Sequence, residues 1–163
     1  MQTFDVAYHE AGHAVIAIDE GIELGSYIEA GVSRGIALYD PGFMLEKLGG
    51  NDLHIWGPKY IKMLLAGRAA QERYAKLYCH VLFESDEGWA VDDNQAMQIA
   101  TKGLGWVDVD DQLTMLRKTV KSRVEEASIW KAIKTVANKL RIGRVSGEEA
   151  RMIYQDCVGT GEG

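Results

Sequence analysis

Two histidines and a glutamate near the start of the chain could carry out metal-dependent chemistry. They lie in the stretch AYHEAGHAVIA, residues 7–17, where His9 and His13 are four positions apart and Glu10 follows the first of them. Each residue of a helix turns by about 100°, so the two imidazoles lie only about 40° apart, one turn above the other. Both rings can then bind one ion, while Glu10 can reach a water on its open side. The spacing predicts a metal site with a carboxylate general base.

This arrangement is typical of zinc peptidases, in which one helix supplies two ligands and a third ligand comes from elsewhere. Zinc lowers the pKa of its bound water from about 15.7 to about 7, and it polarises the carbonyl group under attack. The pattern alone is only moderately specific, because two histidines and a glutamate also occur together on ordinary amphipathic helices. Such a helix at the surface or core edge is the alternative. A third metal ligand elsewhere in the chain would favour the metal site over this alternative.

Candidates for the third ligand are the acidic residues and histidines further along the chain. Asp19 follows His13 by six residues, as in another class of zinc peptidases, but that class breaks the helix at a glycine and this chain has Ile16 there. In an unbroken helix Asp19 points about 240° around from His13, so we interpret it as a solvated helix-end residue. Lone polar residues in weakly structured stretches are predicted to be surface groups, and these are Asp52, His54 and His80.

Hydrophobic periodicity predicts an α+β fold that is mainly α-helical, with a small two- or three-stranded sheet and a C-terminal helical bundle. Apolar residues at three- and four-residue steps predict a first helix at roughly 4–20. Two short apolar runs in residues 26–42 predict two strands, which could pair with each other as one hairpin. Gly57 and Pro58 mark the start of a second helix at 58–77, because proline suits the first helical position.

The second half of the chain reads as further helices. Asp92 and Asp93 suit the positive end of a helix dipole, which predicts a third helix at about 92–102. The acidic run at 107–111 lacks the glycine and final glutamate of a calcium-binding loop and is better explained as a solvated helix start. Ser146 and Glu149 form a capping box. Two apolar stripes predict the bundle helices between them: Leu113, Leu116, Val120 and Val124, then Trp130, Ile133, Val136, Ala137 and Leu140.

The opening stretch resembles the zinc-binding signature of the FtsH family of metalloproteases, including the tyrosine before the first histidine and the Ala-Gly between the ligands. Residues 66–74, AGRAAQERY, are similar to that family's Gly-Arg-Ala-Ala-Glu-Glu helix, and 92–100, DDNQAMQIA, to its Asp-x-x-x-Ala-x-x-x-Ala segment. SRGIAL at 33–38 resembles its Arg-Gly-x-Ala-Leu strand, and 130–153 its closing helix and Leu-x-Gly-Glu-Glu segment. The likeness is poor at 43–60 and 101–125.

The resemblance implies a complete site. In that family the aspartate that opens the third segment is the third zinc ligand, and the register of Ala96 and Ala100 places Asp92 there. Asp93 is then an exposed capping charge. Glu72 matches the family's second glutamate and is either a residue that orients a ligand or an ordinary helix-surface charge. The strand that would bind substrate by main-chain hydrogen bonds contains Ile36, Ala37 and Leu38.

The implied function is zinc-dependent hydrolysis of peptide bonds in unfolded or flexible polypeptides. His9, His13 and Asp92 would hold Zn²⁺, and Glu10 would assist the attack of zinc-bound water. A metal-binding but catalytically idle interaction module and a regulatory metallopeptidase that cleaves one dedicated partner are the alternatives. The family carries transmembrane helices and an ATPase module upstream, whereas this sequence has no Gly-x-x-x-x-Gly-Lys. A separate ATPase or unfoldase could therefore be a partner, and a homo-oligomer stays open.

Composition excludes several classes of partner. A net charge of -6 and a pI near 5.2 argue against nucleic acid, which needs clustered lysine and arginine. No apolar run approaches the roughly 20 residues that cross a bilayer, so no membrane partner is expected. Cys79 and Cys157 lack the spacing of a zinc ribbon or disulfide framework, which fits the cytoplasm.

We expect one peptidase domain over 1–158, a flexible tail at 159–163, and tryptophans and methionines in the core.

Overall fold

Helices dominate the structure because apolar residues recur at helical spacing along most of the chain. A computed structural model describes residues 3–30, 47–78 and 86–159. The fold class is confirmed as mainly α-helical with a small two-stranded antiparallel sheet. No helix in these ranges is both long enough and apolar enough to cross a lipid bilayer. The helices are α1 (Thr3–Asp19), α2 (Leu53–Tyr78), α3 (Asp86–Gln98), α4 (Val109–Glu125), α5 (Ala127–Leu140) and α6 (Gly147–Val158), and the strands are β1 (Tyr27–Ile28) and β2 (Val145–Ser146).

The central part of α1 is enclosed on every side. Residues 7–17 are all buried, and α1 packs mainly against α2 and α5. Gly12 allows this close approach, because a Cβ there would lie 2.6 Å from the carbonyl oxygen of Ala66 and 2.7 Å from the Cβ of Ala70. An amphipathic surface helix would keep one polar face in water. The opening stretch is therefore not an amphipathic surface helix.

α2 begins at Leu53, so the predicted start at Pro58 is wrong. The carbonyl oxygen of Asp52 accepts hydrogen bonds from the backbone N–H groups of Ile55 at 2.9 Å and Trp56 at 3.0 Å. This first turn forms upstream of the proline, which lies inside the helix. Proline removes one backbone donor there, and the extra turn offsets that loss with its own hydrogen bonds.

α3 begins at Asp86, about six residues before the predicted start, and continues into a π-helical stretch at Ile99–Gly103. Asp92 therefore lies inside α3, and the prediction that Asp92 and Asp93 face the positive end of a helix dipole is wrong. The physical reason is tertiary. Trp89 is buried and donates its indole N–H to Gln71 of α2 at 2.5 Å, which stabilises the turn that precedes Asp92.

β1 lies in the first of the two runs predicted to be strands, but its observed partner is far away in sequence. Tyr27 pairs with Ser146 and Ile28 with Val145. Gly147 permits this approach, since a Cβ on it would lie 2.5 Å from the carbonyl oxygen of Gly25. The second predicted strand falls within residues 31–46, outside the described residues.

The predicted C-terminal bundle is confirmed as α4, α5 and α6. The hydroxyl of Ser146 accepts a hydrogen bond from the Glu149 N–H at 3.0 Å, which is the N-cap half of the predicted capping box. The Glu149 carboxylate forms an ion pair with Lys139 at 2.8 Å. The acidic first turn of α4 is exposed, as predicted. The expectation that methionines are core residues is wrong in part, because their unbranched side chains lie on outer helix faces at three positions: Met97, Met115 and Met152.

Asp19 is not the solvated helix-end residue that we predicted. Its carboxylate accepts hydrogen bonds from Arg123 of α4 at 2.9 and 2.7 Å and from the Tyr154 hydroxyl of α6 at 2.5 Å. Burial alone would raise the pKa of Asp19, but these hydrogen bonds outweigh it and lower the pKa below its ordinary value. The end of α1 is thus tied to two bundle helices, and both oxygens of Asp19 are occupied by these partners.

Candidate metal centre

The structure brings together the three residues that the sequence and the family resemblance selected. His9 and His13 lie one turn apart on α1, and Asp92 reaches them from α3. Their Nε2 atoms are 2.9 Å apart, and the Asp92 Oδ2 lies 3.0 Å from His9 Nε2 and 3.1 Å from His13 Nε2. Within the described ranges this is the one group of three His, Cys, Asp or Glu residues close enough to share an ion.

Hydrogen bonds at the far side of each ring orient the histidines. His9 Nδ1 lies 2.8 Å from Gln71 Oε1, and His13 Nδ1 lies 2.7 Å from the carbonyl oxygen of Met63. Trp89 also donates to that Gln71 atom, which identifies it as the amide oxygen because an indole N–H only donates. Both Nδ1 atoms therefore donate to oxygen acceptors. In neutral rings, each Nε2 is left with a lone pair that points at the other ligand atoms.

Three electron-rich atoms consequently converge in a poorly hydrated space. With both rings neutral, the buried Asp92 Oδ2 has no hydrogen-bond donor in the part of the chain that the structure describes. Two imidazole lone pairs and a carboxylate oxygen within about 3 Å repel one another unless a cation lies between them. A proton or a metal ion is needed to stabilise this arrangement.

Without a metal ion, a proton on His13 has this role. Burial opposes the charge on that ring, but the neighbouring Asp92 carboxylate outweighs burial and raises the pKa of His13 to about 9. Burial would likewise raise the pKa of Asp92, but the charge on His13 and the hydrogen bond from its ring outweigh burial and hold the pKa of Asp92 well below its ordinary range. A metal ion that binds here must displace the proton, so metal binding weakens as the pH falls.

The donor set and its dimensions fit zinc. Two imidazole nitrogens and one carboxylate oxygen form a ligand set that catalytic zinc sites use, with bonds of about 2.0–2.2 Å. Ligand atoms around such a tetrahedral ion lie about 3.3 Å from one another. The observed separations of 2.9, 3.0 and 3.1 Å are a few tenths of an ångström shorter. Three protein ligands leave a fourth position for water or substrate.

Glu10 is a buried carboxylate next to this group, with only 5% of its surface exposed. Burial raises the pKa of Glu10 above its ordinary value of 4.5, against the lowering effect of His13 and His9. A general base works best when its pKa lies close to the working pH. The environment of Glu10 therefore moves its pKa in the direction that proton transfer requires.

Gln71 contacts a histidine of the site, whereas Glu72 takes the second of its two predicted roles, that of a helix-surface charge. Glu72 lies one residue further along α2 and forms an ion pair with Arg68 at 2.8 Å, where both side chains are more than 40% exposed. Periodicity could have indicated Gln71, because it lies two turns after Leu64 on the buried face of α2. A glutamine on an apolar helix face needs a hydrogen-bond partner, and here His9 and Trp89 provide it.

The other predicted residues lie away from the centre. Asp52 and His54 are exposed, as predicted, and Asp93 forms an exposed ion pair with Arg117 at 3.6 Å. Cys157 is free and partly buried. Several predicted positions fall outside the described residues: Ile36, Ala37 and Leu38 of the substrate strand, Cys79 and His80.

Gly67 of α2 is a further site residue that sequence reasoning missed. A Cβ at this position would lie 2.6 Å from His13 Nε2 and 2.7 Å from the Cε1 atoms of both His13 and His9. Only glycine lets the α2 backbone pass this close to the imidazole pair. The rings cannot move aside easily, since their Nδ1 atoms are held by Gln71 and the Met63 carbonyl.

Replacing Gly67 by alanine is therefore expected to weaken zinc binding by at least about 10-fold. This is the lower end of the loss in metal affinity that follows when residues supporting the metal ligands are changed. Alanine is the better helix former, so α2 itself should persist. Competition with a chromogenic zinc chelator measures the affinity. Gly143→Ala is the matched control, because a Cβ there meets open space. Equal zinc affinity in the two variants would contradict the described packing.

Comparison with known proteins assigns no family or function to this group of residues. No protein-family model, curated protein or solved structure matches the chain. The resemblance to the FtsH family therefore rests on the short motifs quoted above. The function has to be argued from the arrangement of His9, Glu10, His13 and Asp92.

Proposed function

We propose that this chain is a zinc-dependent metallopeptidase that hydrolyses peptide bonds in unfolded or flexible polypeptides. The observation that carries the proposal is the convergence of the His9, His13 and Asp92 ligand atoms, each within 3.1 Å of the others, beside the buried carboxylate of Glu10. A site built only to hold a metal ion has no need for a buried base next to its first ligand. This carboxylate favours an enzyme over an idle binding module.

The roles of the side chains follow from their positions. His9, His13 and Asp92 would hold zinc, which when bound polarises a peptide carbonyl group and makes water more acidic. Glu10 takes a proton from the attacking water and returns it to the leaving amine. Gln71 and the Met63 carbonyl keep both Nε2 atoms directed at the centre, so the ligands are preorganised before the reaction begins.

A cleft beside the centre supports a polypeptide substrate. It has a volume of about 500 Å³ and lies between α2, α3 and α4, with Asp92 in its wall. An open cleft of this size admits a few residues of an extended chain but not a folded domain. We therefore propose that flexible segments are cut, that a separate ATPase or unfoldase supplies folded substrates, and that the protein works in the cytoplasm.

The experiment that tests this function combines elemental analysis with cleavage of an unfolded protein such as casein. We expect about one zinc per chain, cleavage that stops when a chelator removes the zinc, and recovery when zinc is restored. Bound zinc with no cleavage would favour the idle interaction module, and cleavage of one partner alone would favour the regulatory peptidase. Absence of both zinc and cleavage would contradict the proposal.

A further inference from the structure

The cleft beside Asp92 combines an apolar floor with a charged rim. Leu64, Leu65 and Ala69 of α2 line the cleft, and Trp89 and Asp92 line it from α3. Asp92 thus belongs both to the metal centre and to the wall of the cleft, so a chain that lies in the cleft runs beside the metal centre. The groups on the opposite wall can contact substrate side chains next to the bond that is cut.

That opposite wall is a basic face of α4. Thr114, Arg117, Lys118 and Lys121 line the cleft at positions i, i+3, i+4 and i+7, which share one side of a helix. The chain as a whole has a net charge of -6. The cations on this wall are therefore a local feature that the overall composition does not explain.

Two of the cleft cations are already neutralised within the protein, and two are not. Arg68 pairs with Glu72 at 2.8 Å and lies over the ring of Trp89, while Arg117 pairs with Asp93 at 3.6 Å. Neither lysine of the basic face forms an ion pair with a residue that the structure describes. Both are exposed at the cleft, so they can bind an anionic group of a ligand.

We propose that Lys118 and Lys121 bind a carboxylate of the substrate, so that the enzyme prefers polypeptides with an acidic group next to the scissile bond. This inference rests on the proposed peptidase function. The carboxylate is either an aspartate or glutamate side chain or the free C-terminus of the substrate. An exposed ion pair is worth up to about 1 kcal/mol, which corresponds to about fivefold in affinity per lysine.

The test uses the zinc-loaded Glu10→Gln variant and fluorescently labelled peptides, so that binding is measured without cleavage. Three peptides differ only in one central residue, glutamate, glutamine or lysine, and carry an amidated C-terminus. A fourth has the glutamine and a free C-terminal carboxylate. We expect the glutamate peptide, the free-terminus peptide or both to bind about 5- to 10-fold more tightly than the amidated glutamine peptide, which identifies the source of the carboxylate. The lysine peptide should bind most weakly.

The preference should disappear in the double variant Lys118→Ala/Lys121→Ala and should reverse in Lys118→Glu/Lys121→Glu. The matched control, Lys102→Ala/Lys131→Ala, removes two exposed lysines outside the cleft and should keep the preference. Equal binding of all four peptides by the zinc-loaded protein would overturn the inference, even if casein is cleaved. Selective binding by the lysines together with a wild-type enzyme that cleaves nothing would keep the carboxylate site and refute the peptidase.

Discussion

Replacing Glu10 by glutamine is expected to keep zinc bound while the rate of peptide hydrolysis falls at least about 100-fold, the scale of a lost general base. Glutamine has nearly the same shape as glutamate but cannot accept the proton of the attacking water. The burial of this side chain prevents bulk water from taking over the role efficiently. Cleavage of a labelled unfolded protein and zinc analysis of the same sample measure both quantities.

The matched control for this variant is Glu23→Gln, which makes the same chemical change at an exposed position. It should hydrolyse at the wild-type rate. If the Glu10→Gln protein, fully loaded with zinc, also hydrolysed at the wild-type rate, Glu10 would not be the base. If the Glu10→Gln protein lost zinc while the Glu23→Gln control kept it, the change at residue 10 would have disturbed the ligands instead.

The pH dependence of hydrolysis should show the altered environment of Glu10. Because burial raises its pKa above 4.5, the carboxylate is protonated at a higher pH than an exposed glutamate would be. Activity requires the deprotonated form, so the rate should fall with decreasing pH through an apparent pKa above 4.5. Protonation of the histidine ligands removes zinc in acid as well, so zinc content is measured at each pH.

Replacing Asp92 by alanine is expected to weaken zinc binding by more than about 100-fold, since loss of a ligand exceeds the 10–100-fold effect of altered supporting residues. Hydrolysis should be lost with the metal. The matched control is Asp93→Ala, which removes the adjacent carboxylate from an exposed ion pair and should leave zinc affinity within about threefold of wild type, as for a weak surface pair. Competition with a chelator measures both affinities.

The Asp92→Ala variant has a second readout that needs no metal. In the metal-free protein Asp92 raises the pKa of His13 to about 9, so its removal should lower that pKa. Because the pKa of His13 is higher in the folded state than in the unfolded state, protonation of His13 stabilises the fold. This stabilisation is fully present below the unfolded value of 6.5 and is lost as the pH rises through about 9. NMR titration of the His13 ring should show the lower pKa. An unchanged value would mean that Asp92 does not face His13.

Local spacing was sufficient to predict the contribution of α1 to the site. His9 and His13 are four residues apart, and the period of a helix places them on one side whatever surrounds it. The same reasoning predicted the apolar stripes of the C-terminal bundle and the Ser146 N-cap. Features that depend on one helix turn or one buried stripe follow from residue spacing within a single helix. They could therefore be predicted without a structure.

Features that depend on contacts between helices could not be predicted in the same way. Asp92 was selected through the family resemblance and was expected at a helix start, whereas it lies inside α3 because Trp89 binds Gln71. The pairing of β1 with β2 joins segments more than a hundred residues apart. The need for Gly67 arises only when α2 crosses the imidazole pair. Each of these is a tertiary contact with no counterpart in local sequence.

The most direct test of the central claim is anomalous X-ray diffraction at the zinc absorption edge from crystals of the zinc-loaded protein. We expect one strong peak per chain, about 2.0–2.2 Å from His9 Nε2, His13 Nε2 and an Asp92 carboxylate oxygen. A peak at any other group of residues, or zinc bound by the two histidines with the Asp92 carboxylate turned away, would contradict the account.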